Sequence, residues 1–513
     1  AQRLTTRYGA FISYAHCLKN SGSSGEAEEL YKEAIILSNS DLLQEQKASF
    51  LSFPLLALAE LNLQKGEYYK AEEYFEELED VHEGLAADDI IYQIQGRMLF
   101  SDRALRVGDF SKSARINMEI LKLYEDSGLN TDSRYYLGLL LVAAITEMHM
   151  NRFGSVQDLL IRGQSIADDK KDTPLYSNFL IVKGNFLTWA AENDYDASVL
   201  IQRSWWDNIR TVFEEKKTLK LQLLQEAEKS YSTALDVVID KAGKDSYQYI
   251  SVLRQLGNFY YQLGDNEKAG ELLGEAQTIL NPVRSENKDL YNDVMLSSLA
   301  SRKAIEEELL NEIENQIFDQ VTSNYIFLTE EEKESFVSKT EKRISFLNSY
   351  YVRENGPESA RRLYNNILAT KQLALNSNQH LRRYISGAPK NIQAEYHQLL
   401  KNKEEILYTT NEEKLTSLGS EITKQERVLK SKLVTMNSFS SFEPRGVTWE
   451  QVRDNLEPTE VAIEIINLPL KLSREECEEV NYFELLLKKE SKYPKVIHLF
   501  REKDLEDFMN KEG

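Results

Sequence analysis

The chain has 513 residues, of which 42% are hydrophobic, 28% charged and 10% aromatic, a balance that allows sizeable cores and excludes general disorder. Only 9 prolines and 22 glycines interrupt it, which points to long helices rather than a turn-rich β protein. A net charge of −21 without a basic stripe excludes nucleic acid and anionic membrane surfaces as natural partners, and two cysteines, Cys17 and Cys477, are too few for a disulfide framework or a cysteine zinc site.

No apolar run reaches the roughly 18 residues of a membrane span; the best candidate, Leu137–Ile145, has the length of a core helix. The first residues are Ala-Gln, an end that a cleaved signal peptide or a trimmed chain would leave. A cytoplasmic location is favoured, with export after cleavage as the alternative.

From the first helix onward a pattern recurs: large residues and one small residue in helix A, a turn, then small and large residues at matching spacing in helix B. Its first copy has Phe11, Tyr14, Ala15 and Leu18, then Ala27, Tyr31 and Ala34. The next has Leu55, Leu58 and Ala59, the turn Gly66-Glu67, then Ala71, Phe75 and Leu78. Weaker copies centre on Ser113, after Gly108-Asp109-Phe110, on Val156, after Asn151-Arg152-Phe153, and on Ala227 with Tyr231 and Ala234. The cleanest has Leu253, Leu256, Gly257 and Tyr260, the turn Gly264-Asp265, then Ala269, Leu273, Ala276 and a closing Pro282. The small residues let two helix backbones approach while large residues three and four apart fill the seam. Residues 27, 71, 113, 156, 227 and 269 are thus equivalent, at steps of 44, 42, 43, 71 and 42. The long step marks an insertion at about Asn193–Lys220, whose Trp205-Trp206 is expected to pack on the array.

Beyond Ser285 the chain stays helical to about Met436. A Thr329 N-cap precedes Glu330-Glu331-Glu332, an amphipathic helix carries Leu363, Ile367 and Leu368 on one face, and Asn391–Tyr408 and Glu412–Met436 read as a helical hairpin with a Leu415, Leu418, Ile422, Leu429, Leu433 seam. After Ser438–Ser441 and a linker with Pro444 and Gly446, a capped helix begins at Thr448-Trp449. Three β-branched or aromatic runs follow, at 461–466, 482–487 and 495–500, as a small meander. The fold class is therefore mainly α: a helical-repeat solenoid over 1–282, a helical region over 283–437, and a short β-containing segment over 447–513.

The pattern over Tyr8–Pro282 resembles tetratricopeptide (TPR) repeats, with each helix about a turn longer than in the standard period of about 34 residues. The wider order resembles bacterial TPR–CHAT proteins, in which such an array precedes a caspase-like CHAT domain. That likeness rests on Phe327-Leu328-Thr329, Leu363–Lys371, Trp449, Leu456-Glu457-Pro458, Ala462-Ile463-Glu464 and Tyr493–Phe500. The resemblance implies that 447–513 opens a CHAT-like α/β domain; three strands with one apolar face bury too little alone, so docking against the hairpin is expected. It also implies that a catalytic His in a Thr-His-Gly-type turn and a Cys in a Ser-Ala-Cys-type strand end would lie further on, since neither motif occurs before Gly513.

No catalytic, cofactor or metal site is expected in the chain itself. His16 and Cys17 are helix neighbours, which point about 100° apart and do not face one another; Cys17 is expected to pack inward. Cys477 sits among Glu475, Glu476, Glu478 and Glu479, which oppose thiolate formation. The six histidines form no metal-ligand spacing, and no phosphate-cradling glycine loop is present.

The expected functional surface is the groove walled by the A helices, lined by His16, Lys19, Leu56, Glu60, Leu63, Met98, Asp102, Leu105, Leu141, Ile145, Met148, Arg254, Asn258 and Tyr261. Only Arg254 and Asn258 match a grip on a terminal carboxylate, so a mixed apolar and acidic groove for an extended or helical peptide, or for a folded partner surface, is expected. Its own or a neighbouring CHAT domain is a further candidate partner. The reading is a protein-interaction scaffold regulating an attached CHAT domain; the alternative is part of a caspase-like cysteine endopeptidase.

Overall fold

The computed structural model describes residues 2–20, 23–39, 47–83, 90–171, 173–193, 195–200, 216–301, 307–325, 328, 330–409, 411–435, 446–470 and 479–512. They form two compact units, Ala1–Ala304 and Ile305–Gly513. The Thr329 cap, Trp205-Trp206 and Cys477 lie outside the described residues.

The first unit is a succession of antiparallel helix pairs: α1 (Gln2–Asn20) with α2 (Ser24–Ser38), α3 (Lys47–Gln64) with α4 (Tyr68–Glu83), α5 (Ile90–Val107) with α6 (Phe110–Asp126), and α7 (Arg134–His149) with α8 (Phe153–Asp168). The longest pair is α9 (Pro174–Glu192) with α10 (Lys216–Lys241). Then come α11 (Tyr247–Gln262) with α12 (Asn266–Leu280), and a final helix, α13 (Lys288–Ser301). This is a TPR-like solenoid.

The register inferred from the sequence holds at the helix B position of each pair, although Tyr14 in helix A of the first copy is 57% exposed. Ala27, Ala71, Ser113, Val156, Ala227 and Ala269 are all fully buried (0% exposed). Five residues before four of them the chain turns from helix A to helix B through a left-handed residue: Gly66, Gly108, Asn151 and Gly264, with φ of 72°, 88°, 55° and 83°. An L side chain resists that conformation, which is why glycine recurs there and the short polar Asn substitutes once. Asp109 and Asp265 then cap helix B, accepting from the amides of Lys112 and Lys268 at 3.0 and 3.1 Å.

Two glycines set how close the pairs come. A Cβ on Gly257 would stand 2.7 Å from Leu273 Cγ, and one on Gly184 2.8 Å from the Tyr231 ring. In the α9–α10 seam, fully buried Lys183 donates to Glu226 at 3.0 Å. Where Ser113 replaces alanine, its hydroxyl is not left unmet. It lies 2.8 Å from that of Ser101, which donates to Asn117 Oδ1 at 2.7 Å, and Asn117 donates to Thr146 Oγ1 at 2.9 Å. Cys17 departs from expectation: it is exposed, because it lies two residues beyond buried Ala15 and so points about 200° around α1 from the seam.

The second unit contains α14 (Glu307–Tyr325), α15 (Glu330–Glu354), α16 (Pro357–Gly387) and the hairpin α17 (Lys390–Tyr408) with α18 (Glu412–Thr435). The hairpin core holds Ile385, Ala388, Ile392, Leu399 and Leu429, with Tyr396 and Ile422 against it. Deep between α14, α15 and α16, buried Glu314 accepts from Tyr351 Oη at 2.7 Å, Arg362 Nη1 at 3.0 Å and Asn366 Nδ2 at 3.3 Å.

After the short helix α19 (Trp449–Asn455), with Gln451 Oε1 accepting from the Thr448 amide at 2.9 Å, comes an antiparallel meander in the order β1-β2-β3. Its strands are β1 (Val461–Leu470), β2 (Glu479–Lys488) and β3 (Lys495–Arg501), followed by α20 (Glu502–Glu512). Leu468 and Phe483 pack with Ile466, Val496 and Val352 of α15. Lys371 of α16 pairs with Glu464 of β1, and the Trp449 amide donates to Asn365 of α16 at 2.8 Å. The sheet therefore rests on α15 and α16, not on the hairpin expected from sequence, because Val352 and Lys371 supply the apolar and charged partners its inner face needs. On the other face Ile463 and Ile465 are 54% and 64% exposed.

Buried phenols give both units a shared pH response. Burial first, then a neighbouring carboxylate, pushes Tyr31 (beside Glu60) and Tyr364 (beside Glu464) up to about 12. A raised phenol keeps its proton in the folded chain while the unfolded chain loses it near pH 10, so the stabilisation is intact below pH 10 and lost as pH climbs toward 12. Denaturant midpoints should be flat from pH 7 to about 9 and fall between about pH 10 and 12, with phenolate absorbance appearing alongside unfolding. A flat midpoint through pH 12 would mean that these phenols are not held neutral by the fold.

Candidate functional site

The A helices α5, α7, α9 and α11, with α13, wall a cavity of about 960 Å³. Three of them, α7, α9 and α11, contribute a face at turn spacing, α5 adds Met98 and α13 adds Asp293. On α7 the face is Leu141, Ile145 and Met148; on α9, Asn178, Val182, Asn185 and Trp189; on α11, Ser251, Arg254 and Asn258. The lining is apolar along α7 and rich in carboxamides, rather than acidic as expected, along α9 and α11.

Several side chains are fixed by what lies behind them. Tyr231 donates its hydroxyl to Asn185 Oδ1 at 2.7 Å, which leaves that amide's NH₂ to turn toward the cavity. Trp189 stacks on Phe153 with 11° between ring planes, and His149 stacks on Phe110 at 4.6 Å. Arg254 Nη1 stands 3.9 Å from Asp293 Oδ2 of α13, too far for a hydrogen bond, while its buried Nε has no partner. Glu192 and Asp293 are the lining carboxylates.

Of the groove residues chosen from sequence, Met98, Leu141, Ile145, Met148, Arg254 and Asn258 line this cavity. The others sit elsewhere. Lys19 pairs with Glu60 at 2.5 Å, bridging the first two pairs. Leu63 is fully buried and Leu56 nearly so. Asp102 accepts from Arg106 at 2.9 Å. His16 is exposed on α1, and Leu105 and Tyr261 are half-buried outside the lining. What the sequence reading missed is the α9 wall, Asn178, Asn185 and Trp189. The insertion before Ala227 displaced that repeat's helix A from its expected place, although the spacing of Leu175, Asn178, Val182, Asn185 and Trp189 marks one continuous helical stripe.

Among the described residues no group of three or more His, Cys, Asp or Glu could hold a metal ion, and no helix is long and apolar enough to cross a membrane.

No family model matches the chain, and no curated protein matches it. Solved structures do. The crystal structure of BtubC (BKLC) from P. vanneervenii matches with TM-score 0.30 and 14% identity, covering 56% of this chain and 92% of that one. A Rap protein complexed with Competence and Sporulation Factor matches with TM-score 0.42 and 11% identity, covering 85% and 100%. A circular tandem repeat protein with novel repeat topology matches with TM-score 0.16 and 15% identity, covering 85% and 97%. At these low values the solenoid assignment stands on the helix pairs themselves.

Proposed function

We propose that the chain is a protein-interaction scaffold whose A-helix cavity receives an extended peptide segment of a partner protein. The observation that carries this reading is the cavity's composition and run. Three successive A helices present a face to it, and neighbouring helices lie about 8–10 Å apart, so those faces run about 20 Å, the length of about six extended residues. Carboxamides on α9 and α11 offer both a donor and an acceptor, as a peptide backbone requires, and the apolar α7 wall offers room for side chains.

Selection from a random decapeptide display library tests it. Enriched peptides should lose about tenfold or more in affinity on Asn258→Ala, the scale for removing a buried hydrogen-bonding group, and keep it on Tyr14→Ala, an exposed residue of α1 outside the cavity. No enrichment, or binding indifferent to Asn258→Ala, would overturn the reading.

We infer further that the segment from Trp449 onward opens a CHAT-like domain that the array regulates. Supporting this, the two stretches that carry the family likeness touch each other, through Asn365 with Trp449 and Lys371 with Glu464. The bare apolar row of Ile463 and Ile465 is what an incomplete sheet would leave uncovered. On this reading the 513-residue chain shows no peptidase turnover; cleavage of peptide substrates abolished by Cys17→Ala or Cys477→Ala would refute it.

A further inference from the structure

Helix α13 is not an ordinary end to a solenoid. A terminal repeat helix keeps a polar outer face, yet Asp289, Tyr291, Asn292, Val294, Met295 and Leu296 are all buried, an arc of about 220° at 100° per residue. One side packs on α11 and α12. Another meets the second and third helix pairs. Asp289, in its first turn, accepts from Tyr68 Oη at 2.9 Å and from Arg106 Nη1 at 3.1 Å, partners 221 and 183 residues away. Tyr68 is the first residue of α4 and Arg106 lies in the last turn of α5. Arg106 is itself fixed, donating through Nε to Asp102 at 2.9 Å. One turn beyond Asp289 on the same helix, Asp293 lines the cavity facing Arg254.

We propose that Asp289 is the array's own ligand: its capture by Tyr68 and Arg106 latches α13 across the solenoid and holds the cavity at its present width, which admits an extended segment and shuts out bulkier partners until the latch opens. The proposal rests on the cavity being the partner site. The helix that carries the latch also carries a cavity wall, so releasing Asp289 frees Asp293 to move with it. A carboxylate held by a phenol and a guanidinium is a charge-assisted pair, strong enough to keep the closed form dominant and discrete enough to release as one unit.

The test reads closure directly and needs no partner, so it fails or succeeds independently of peptide binding. In the full chain with Cys17→Ser and Cys477→Ser, Ser251→Cys places a thiol on the cavity wall. Its alkylation rate is measured with a polyethylene-glycol-linked maleimide and with small N-ethylmaleimide. The ratio of the two rates follows the open population. Tyr68→Phe, which removes only the hydroxyl, and Asp289→Asn should each raise that ratio about tenfold or more, the scale for losing a hydrogen bond to a charged group. Tyr249→Phe is the control: it removes a comparable phenol–carboxylate bond, to Glu275 at 2.7 Å, away from the latch. If Asp289→Asn does not fold, Tyr68→Phe alone decides. An unchanged ratio in Tyr68→Phe, or an equal rise in Tyr249→Phe, would overturn the latch.

Discussion

Replacing Ala269 by glutamate should collapse the α11–α12 pair. Ala269 is fully buried beside Leu273 and Ala276, in a seam so close that a single methyl on Gly257 would collide with Leu273. A carboxylate there has neither water nor a cation, and an uncompensated buried charge costs about 3–5 kcal/mol. Whole domains are stable by only about 5–15 kcal/mol. The expected result is a large fall in melting temperature together with loss of hydrogen-exchange protection over 247–280. Glu271→Ala, on the exposed side of the same helix, should change stability by no more than about 0.5 kcal/mol. A melting curve unaltered by Ala269→Glu would place that residue outside the seam and undo the repeat register.

The second large effect lies in the other unit. Arg362→Met removes the cation from Glu314, which is only 5% exposed, while leaving Tyr351 and Asn366 in place. Neutral hydrogen bonds do not offset a buried carboxylate, so the loss should again be about 3–5 kcal/mol. The burial of Tyr351 and its bond to Glu314 push that phenol well above its ordinary range, so it stays a neutral donor and does not replace the lost positive charge. Adding Glu314→Leu to Arg362→Met should restore most of the stability, because the apolar pair needs no counter-charge. Equal denaturation midpoints for the single and double variants would show that the charge pairing is not what holds α14, α15 and α16 together.

How much of this could be read beforehand depended on whether a feature repeats. The six equivalent residues from Ala27 to Ala269, small at all but Val156, were legible because the same steric demand recurs at steps of 42 to 44 broken once by an insertion, and so were the turn glycines before three of them. The meander was legible because β-branched runs bounded by proline and asparagine have few other outcomes. The α9 wall was obscured by the insertion that shifts its pair out of step. The seat of the sheet on α15 and α16 depends on single contacts, Val352 with Leu468 and Phe483 and Lys371 with Glu464, which leave no periodic trace. Asp289 gave no signal at all: one aspartate among many finds its partners only once the array has curved.

That contact also bears on how the chain reaches its fold. A solenoid is nearly one-dimensional: each pair answers to its neighbours, so assembly starts anywhere and spreads, and unravelling begins at whichever end is weakest. Joining Asp289 to Tyr68 across 221 residues breaks that locality. The join cannot form until the intervening pairs are in place, because an unfolded loop of that length must otherwise be closed at an entropic cost with little return. It therefore belongs among the last steps of folding. Once made, it gives the array no loose final helix from which to unzip, so fraying at α13 must first undo a bond to the second and third helix pairs.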